Sequence, residues 1–223
     1  MEAVILASIP FTLSRSELAT RLAIPEESPR WRRVSALARQ AESVGNLGGA
    51  YLPVTIDDTG DGFVTAAGIR IDSRILQEQT AQPQLIFPFL ATCGRSLEDW
   101  AQSFTGITDR YVAELMTEIA CQQALEKLLE EVDTRYCLTN ASMVNPGSLE
   151  DWPLAGQTQI FELLHQAAFE VGVTLSRDLL MSPLKSMSGI RFSGKTLHRN
   201  CSHCPRKECI GRHDPYENPV NRK

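Results

Sequence analysis

Gln84-Leu85-Ile86-Phe87-Pro88-Phe89-Leu90-Ala91 is apolar after its first residue, and Thr92-Cys93-Gly94 closes it. An apolar run of this length bounded by turn residues reads as a buried strand. Ser96 then caps a short helix. The longest helix follows over residues 108–132, where Val112, Leu115, Ile119, Leu125, Leu128 and Leu129 recur at spacings of three and four. Working upstream, residues 51–56 alternate as a strand, Asp57-Asp58-Thr59-Gly60-Asp61-Gly62 is a turn, and residues 63–67 are its hairpin partner. Asp72 caps a helix through Gln79. A helix over 29–44 is stopped by Gly45-Asn46 and the Gly48-Gly49 pair, and Ser14 with Glu17 makes a capping box for a shorter one. Working downstream, residues 136–144 form a strand holding Cys137, and Asn145-Pro146-Gly147-Ser148 is a turn. A helix over 157–171 points Phe161, Leu163, Leu164 and Phe169 to the core, and residues 175–181 and 187–192 are strands. Strands and helices are neither regularly interleaved nor segregated. That order predicts an α+β fold, a curved and mainly antiparallel sheet with flanking helices.

A chain of 223 residues that is 43% hydrophobic has enough for one domain with an appendage. The expected division is an N-terminal helical segment (1–48) packed on the main domain, the α+β domain (49–198), and a cysteine-rich tail (199–223). The net charge of −5 is uneven. Residues 1–184 carry 13 Lys/Arg and 24 Asp/Glu, a balance of −11, and residues 185–223 carry 9 and 3, a balance of +6. Met1-Glu2-Ala3-Val4-Ile5-Leu6 has no basic leader pattern, and no apolar run is long enough to span a membrane. The expected location is therefore the cytoplasm, where disulfides do not persist.

The tail carries the strongest chemical signal, Cys201-Ser202-His203-Cys204-Pro205-Arg206-Lys207-Glu208-Cys209, a C-x2-C-x4-C spacing. Three thiolates this close suit a soft metal centre, an iron–sulfur cluster or zinc. Zinc needs one more ligand, for which His198, His203 and His213 are candidates. A 4Fe–4S cluster calls for a fourth ligand, and Cys93 is the expected one, since it stands where a strand becomes a turn and Gly94 allows another backbone to approach. Cys121 reads as a buried thiol on a helix. The basic side chains around the motif offset thiolate charge or receive an acidic partner such as an electron carrier. Nucleic acid is disfavoured because the patch lacks interleaved aromatics. No paired carboxylates, Ser-His-Asp set, P-loop or dinucleotide fingerprint marks an independent catalytic site.

Several of these pieces resemble one family. Phe89-Leu90-Ala91-Thr92-Cys93-Gly94 is similar to the F-x-x-T-x-G stretch of the activation domain of vitamin B12-dependent methionine synthase. Asp109-Arg110 opening a long helix and the Pro146-Gly147 turn also resemble that domain, and Trp152-Pro153-Leu154 with Gln157 resembles its stand-alone members. Gly172-Val173-Thr174-Leu175 and the block from Met181 through Ser186-Met187-Ser188-Gly189 are similar to a further block of the family pattern. Stand-alone members also end in C-x2-C-x4-C followed by arginine, here Arg212. The resemblance implies the activation-domain fold and a ligand pocket at Met143, Asn145, Pro146, Gly147 and Ser148 with Lys185, Ser186, Ser188 and Gly189. This chain departs from the pattern in three places. Met143 stands at the family's arginine before the Pro-Gly turn, Ser148 at its tyrosine, and Arg177 at an acidic residue. These changes remove the natural partner of a ligand carboxylate and weigh against S-adenosylmethionine. The expected function is an iron–sulfur accessory protein of corrinoid metabolism. It would pass an electron to, or reductively activate, a corrinoid protein or cobalamin-dependent methyltransferase. The alternatives are a zinc-stapled binding module without redox chemistry and an S-adenosylmethionine-binding reactivation protein.

Overall fold

The apolar run at 84–91 is the central strand of the sheet. In a computed structural model, residues 2–148, 151–204 and 215 are described. The strands in chain order are β1 (Val4–Ile9), β2 (Leu47–Tyr51), β3 (Val54–Gly60), β4 (Phe63–Ala66), β5 (Ile69–Ile71), β6 (Leu85–Thr92), β7 (Ala141–Val144), β8 (Thr174–Leu175), β9 (Met181–Ser182) and β10 (Ser186–Ser193). The helices are α1 (Arg15–Leu22), α2 (Trp31–Val44), α3 (Arg74–Gln79), α4 (Arg95–Gln102), α5 (Ile107–Tyr136), α6 (Gln157–Glu170) and α7 (Asn200–His203). On one side β6 pairs with β10, from Ser186 opposite Thr92 to Phe192 opposite Ile86. On the other side it pairs first with β2 and then with β3. Pro88, which has no N–H to give a ladder, lies where the neighbour changes from β2 to β3. Only its carbonyl is used on that side, accepting from the Leu52 N–H at 3.0 Å. β1 ends the sheet beyond β2, β7 ends it beyond β10, and β3, β4 and β5 run on as a meander. Every described pairing is antiparallel, and the sheet curls into a half-barrel with flanking helices.

Alternate residues of β6 serve two helices. Ile86 and Leu90 meet Ile160, Leu164, Ala167 and Ala168 of α6. Phe87 and Phe89 meet Leu128 and Val132 of α5, while Ala91 and Cys93 meet Met116, Ile119, Ala120 and Cys121 further back along it. The strand is apolar on both faces because both are covered. Phe87 and Phe89 are fully buried, each worth about 1.5–3 kcal/mol of transfer free energy. α1 and α2 pack through Leu18, Trp31, Val34 and Leu37 onto α5, and Arg33 to Asp109 and Arg21 to Glu118 add ion pairs.

Several expected boundaries move. The 1–48 segment also holds β1, which pairs with β2, so it is helical only in part. The Gly48-Gly49 pair lies inside β2 and does not terminate α2, which ends four residues earlier at Val44. Ser73 replaces Asp72 as the cap of α3, its Oγ accepting from Leu76 N–H at 3.2 Å, because Asp72 instead takes the Arg70 guanidinium. α5 runs on to Tyr136, whose ring packs on Phe87 and Tyr51. Cys137 is therefore the exposed left-handed cap of that helix (φ 51°), and the expected strand shrinks to β7. Phe169 is 75% exposed, since it falls one step off the stripe Ile160-Leu164-Ala167-Ala168 that α6 buries.

Candidate functional site

The turn after β7 is built around Asn145. Gly147 takes a positive φ of 78° and its N–H donates to Trp152 carbonyl at 2.7 Å, while Ser148 N–H donates back to Asn145 carbonyl at 3.2 Å. The Asn145 Nδ2 donates to the Ser188 carbonyl on β10 at 2.7 Å. Gly189 makes this approach feasible. A Cβ there would stand 2.6 Å from Asn145 Nδ2, 2.7 Å from the Val144 carbonyl and 2.9 Å from the Phe89 ring. Of the residues placed at one pocket by resemblance, Asn145 is thus in contact with Ser188 and Gly189.

The tail returns to this turn. Asn140 Nδ2 donates to the Gly194 and Lys195 carbonyls at 3.3 and 3.2 Å. His198 N–H donates to Ser142 Oγ at 2.9 Å, and a His198 ring nitrogen lies 3.1 Å from Asn200 Oδ1. Asn200 Nδ2 then donates to Asn145 Oδ1 at 3.0 Å. Asn200 opens α7, which carries Cys201 and leads to Cys204; both cysteines are half-buried, and Cys204 N–H reaches Cys201 carbonyl at 3.4 Å. Cys209, His213 and the expected extended end of the tail lie outside the described residues, Pro215 excepted, as does the His203 side chain. The short helix bearing the first motif cysteine and the Asn-Pro-Gly turn are thus joined through an asparagine pair.

A cleft of about 310 Å³ lies beside the junction, lined by Ala141, Met143, Arg191, Leu197, His198, Arg199, Asn200 and Cys201. Met143 stands directly across from Arg191 in the β7–β10 ladder. Arg191 donates to Asp133 of α5 through Nε at 2.8 Å and Nη2 at 2.5 Å, a two-pronged ion pair. Arg191, Asp133 and Asn200 escaped the sequence reading. The signal for Arg191 was the lone charge of its strand, and for Asn200 its place just before the first tail cysteine.

The rest of the expected set lies elsewhere. Lys185 and Ser186 sit at the opposite end of β10. The Lys185 carbonyl accepts from Cys93 N–H at 3.0 Å, Ser186 Oγ lies 2.9 Å from Thr92 Oγ1, and Leu184 N–H donates to Glu98. Gly94, with φ 83°, has the Asn46 carbonyl where a Cβ would stand. Cys93 is fully buried, and its sulfur lies 3.6 Å from the Gly94 carbonyl. Burial pushes its thiol far above the ordinary range, helped by Cys121 and Glu98, with Lys185 working against. Burial likewise pushes Cys121 up to about 12, again opposed by the Lys185 charge. Among the described residues no three His, Cys, Asp or Glu side chains converge, so Cys93 is not brought together with Cys201 and Cys204. A thiol held this firmly in its neutral form in an apolar core is a poor metal ligand where it stands. Arg177 is exposed in the turn between β8 and β9.

The curled antiparallel half-barrel with a long helix laid along it is the fold of the reactivation domain of B12-dependent methionine synthase. The particular solved structure is that of the MetH reactivation domain bound to AdoHcy. It superposes with a TM-score of 0.57 at 16% identity, over 86% of this chain and 78% of that one. No protein-family model matches the chain, and no curated protein does. The likeness is one of fold.

Proposed function

We propose that this chain is an iron–sulfur accessory protein of corrinoid metabolism, delivering an electron to a corrinoid protein or a cobalamin-dependent methyltransferase. Cys201, Cys204 and Cys209 hold the cluster, and the fourth position is left to a ligand from outside the core. The observation that carries this reading is the Asn145–Asn200 pair. It fastens the helix bearing Cys201 to the turn that the resemblance assigns to the ligand pocket. A cluster there would stand at the pocket and not at a remote appendage. The half-buried setting of Cys201 and Cys204 suits thiolate ligands better than the core that holds Cys93. Iron–sulfur clusters held by thiolates span potentials low enough to serve as electron donors. The surplus of positive charge in residues 185–223 would speed encounter with an acidic partner.

The test is anaerobic purification followed by iron, sulfide and zinc analysis. Iron with sulfide is expected, with broad absorption near ~400 nm that dithionite bleaches. Stoichiometric zinc without sulfide would overturn the redox reading in favour of a zinc-stapled binding module. Reduction of a cob(II)alamin-loaded corrinoid protein by the reduced chain, followed optically, then tests the direction of transfer.

A further inference from the structure

We propose that the cleft between β7, β10 and residues 197–201 binds a small carboxylate, gripped by the free edge of Arg191. When a metal occupies the tail cysteines, the same ligand fills the coordination position they leave open. The first statement stands on the cleft alone; the second rests on the metal reading above.

The geometry begins with Arg191. A guanidinium offers five N–H donors in one fixed plane. Asp133 takes the Nε and Nη2 edge. The Nη1 donors have no protein acceptor among the described residues, and Arg191, its side chain only 14% exposed, lines the cleft. Asp133 therefore fixes the plane of the group and leaves its second edge aimed for another planar oxyanion. A donor set oriented before binding loses little freedom when the ligand arrives. Asp133 balances the Arg191 charge, and Arg199 stands in the same lining. Ala141, Met143 and Leu197 supply an apolar wall for a short carbon body. The volume of about 310 Å³ is at the small end of ligand pockets, which run to about 1,000 Å³. A metabolite-sized acid fits that space; a corrinoid does not. Cys201 lines the same cleft, so a carboxylate on Arg191 sits within the surroundings of the first tail sulfur.

The experiment uses the full chain, as isolated and after chelator treatment, with pyruvate, succinate and glutamate as probes and chloride as the ionic control. Backbone amide NMR should show saturable shifts at residues 141, 143, 191 and 200 for at least one acid. Arg191→Gln combined with Asp133→Asn removes both charges without stranding either, and should weaken binding by at least about tenfold. Ala141→Glu, a change at a partly exposed position, puts the protein's own carboxylate into the cleft and should abolish binding. It decides the matter if the double variant does not fold. Absence of saturable shifts with all three acids, equal shifts from chloride, or undiminished binding in Ala141→Glu would overturn the site. In iron-loaded protein the bound acid should alter the absorption spectrum. An unchanged spectrum beside clear amide shifts would overturn the metal contact alone. Carboxylate binding in a chain that carries no iron as isolated anaerobically would sink the proposed function and leave this site standing; iron without carboxylate binding would do the reverse.

Discussion

Replacing Asn145 with alanine tests whether the cysteine helix is held by the pocket turn. The substitution deletes the bond to Ser188 carbonyl at 2.7 Å and the bond from Asn200 at 3.0 Å. At about 1 kcal/mol net for each, the loss is about 2 kcal/mol. A chain of this size shifts by about 2–4 °C per kcal/mol, so Tm should fall by about 4–8 °C in a scanning calorimeter. The second effect is more specific. With Asn200 released, α7 loses a principal tie to the sheet, and metal on the tail should pass to an external chelator faster than in the parent. Asn145→Asp is the control. Its carboxylate still accepts from Asn200 but faces the Ser188 carbonyl without a proton to offer, so stability should drop while metal retention is largely kept. Unchanged Tm together with unchanged metal loss in Asn145→Ala would refute the docking argument.

Gly189→Ala places a methyl against Asn145, Val144 and Phe89 and should cost about 1–3 kcal/mol by overpacking. Combined with Asn145→Ala, part of that cost should vanish, a non-additivity measurable by denaturant titration. Cys93→Ser should lower stability yet keep the full complement of iron; loss of iron would restore Cys93 as a ligand. Thiol labelling of the native chain should modify the exposed Cys137 and spare Cys93 and Cys121 until it unfolds. Because Cys121 is raised from 9.0 to about 12 in the fold, its contribution to stability is complete below 9.0. It declines as pH climbs toward about 12, since the unfolded thiol ionises first. Urea unfolding across that window should show the decline, and Cys121→Ala should lessen it, with the buried Cys93 thiol still contributing.

Much of the fold was legible because its strongest signals are local and periodic. The 84–91 run had the length of a doubly covered strand, and α5 declared itself by spacing, as did Ser14, whose Oγ accepts from Glu17 N–H at 3.4 Å. β1 was missed because Val4-Ile5-Leu6-Ala7-Ser8-Ile9 is short and lacks alternation, so only its pairing with β2 reveals it. Glycine misled at Gly48-Gly49, where close packing, and not helix termination, is the reason for small residues. The site divided along the same line. The Asn-Pro-Gly turn and the Ser188-Gly189 pair are local motifs, readable from the sequence, and Asn145 meets Ser188 in the fold. Arg191 to Asp133 and Asn145 to Asn200 are contacts between residues 58 and 55 positions apart, which no spacing rule announces.

β7 is only four residues long, and among the described residues β10 is its single partner in the sheet. Its outer side is crossed by the tail through Ser142 to His198, Asn140 to Gly194 and Asn145 to Asn200. The tail thus shields a strand edge that would otherwise be a template for self-association. A chain cut after Ser193, or one whose tail is released, should gain a tendency to form dimers and larger aggregates through β7. Solubility would then report on the integrity of the cysteine segment, quite apart from any electron it carries.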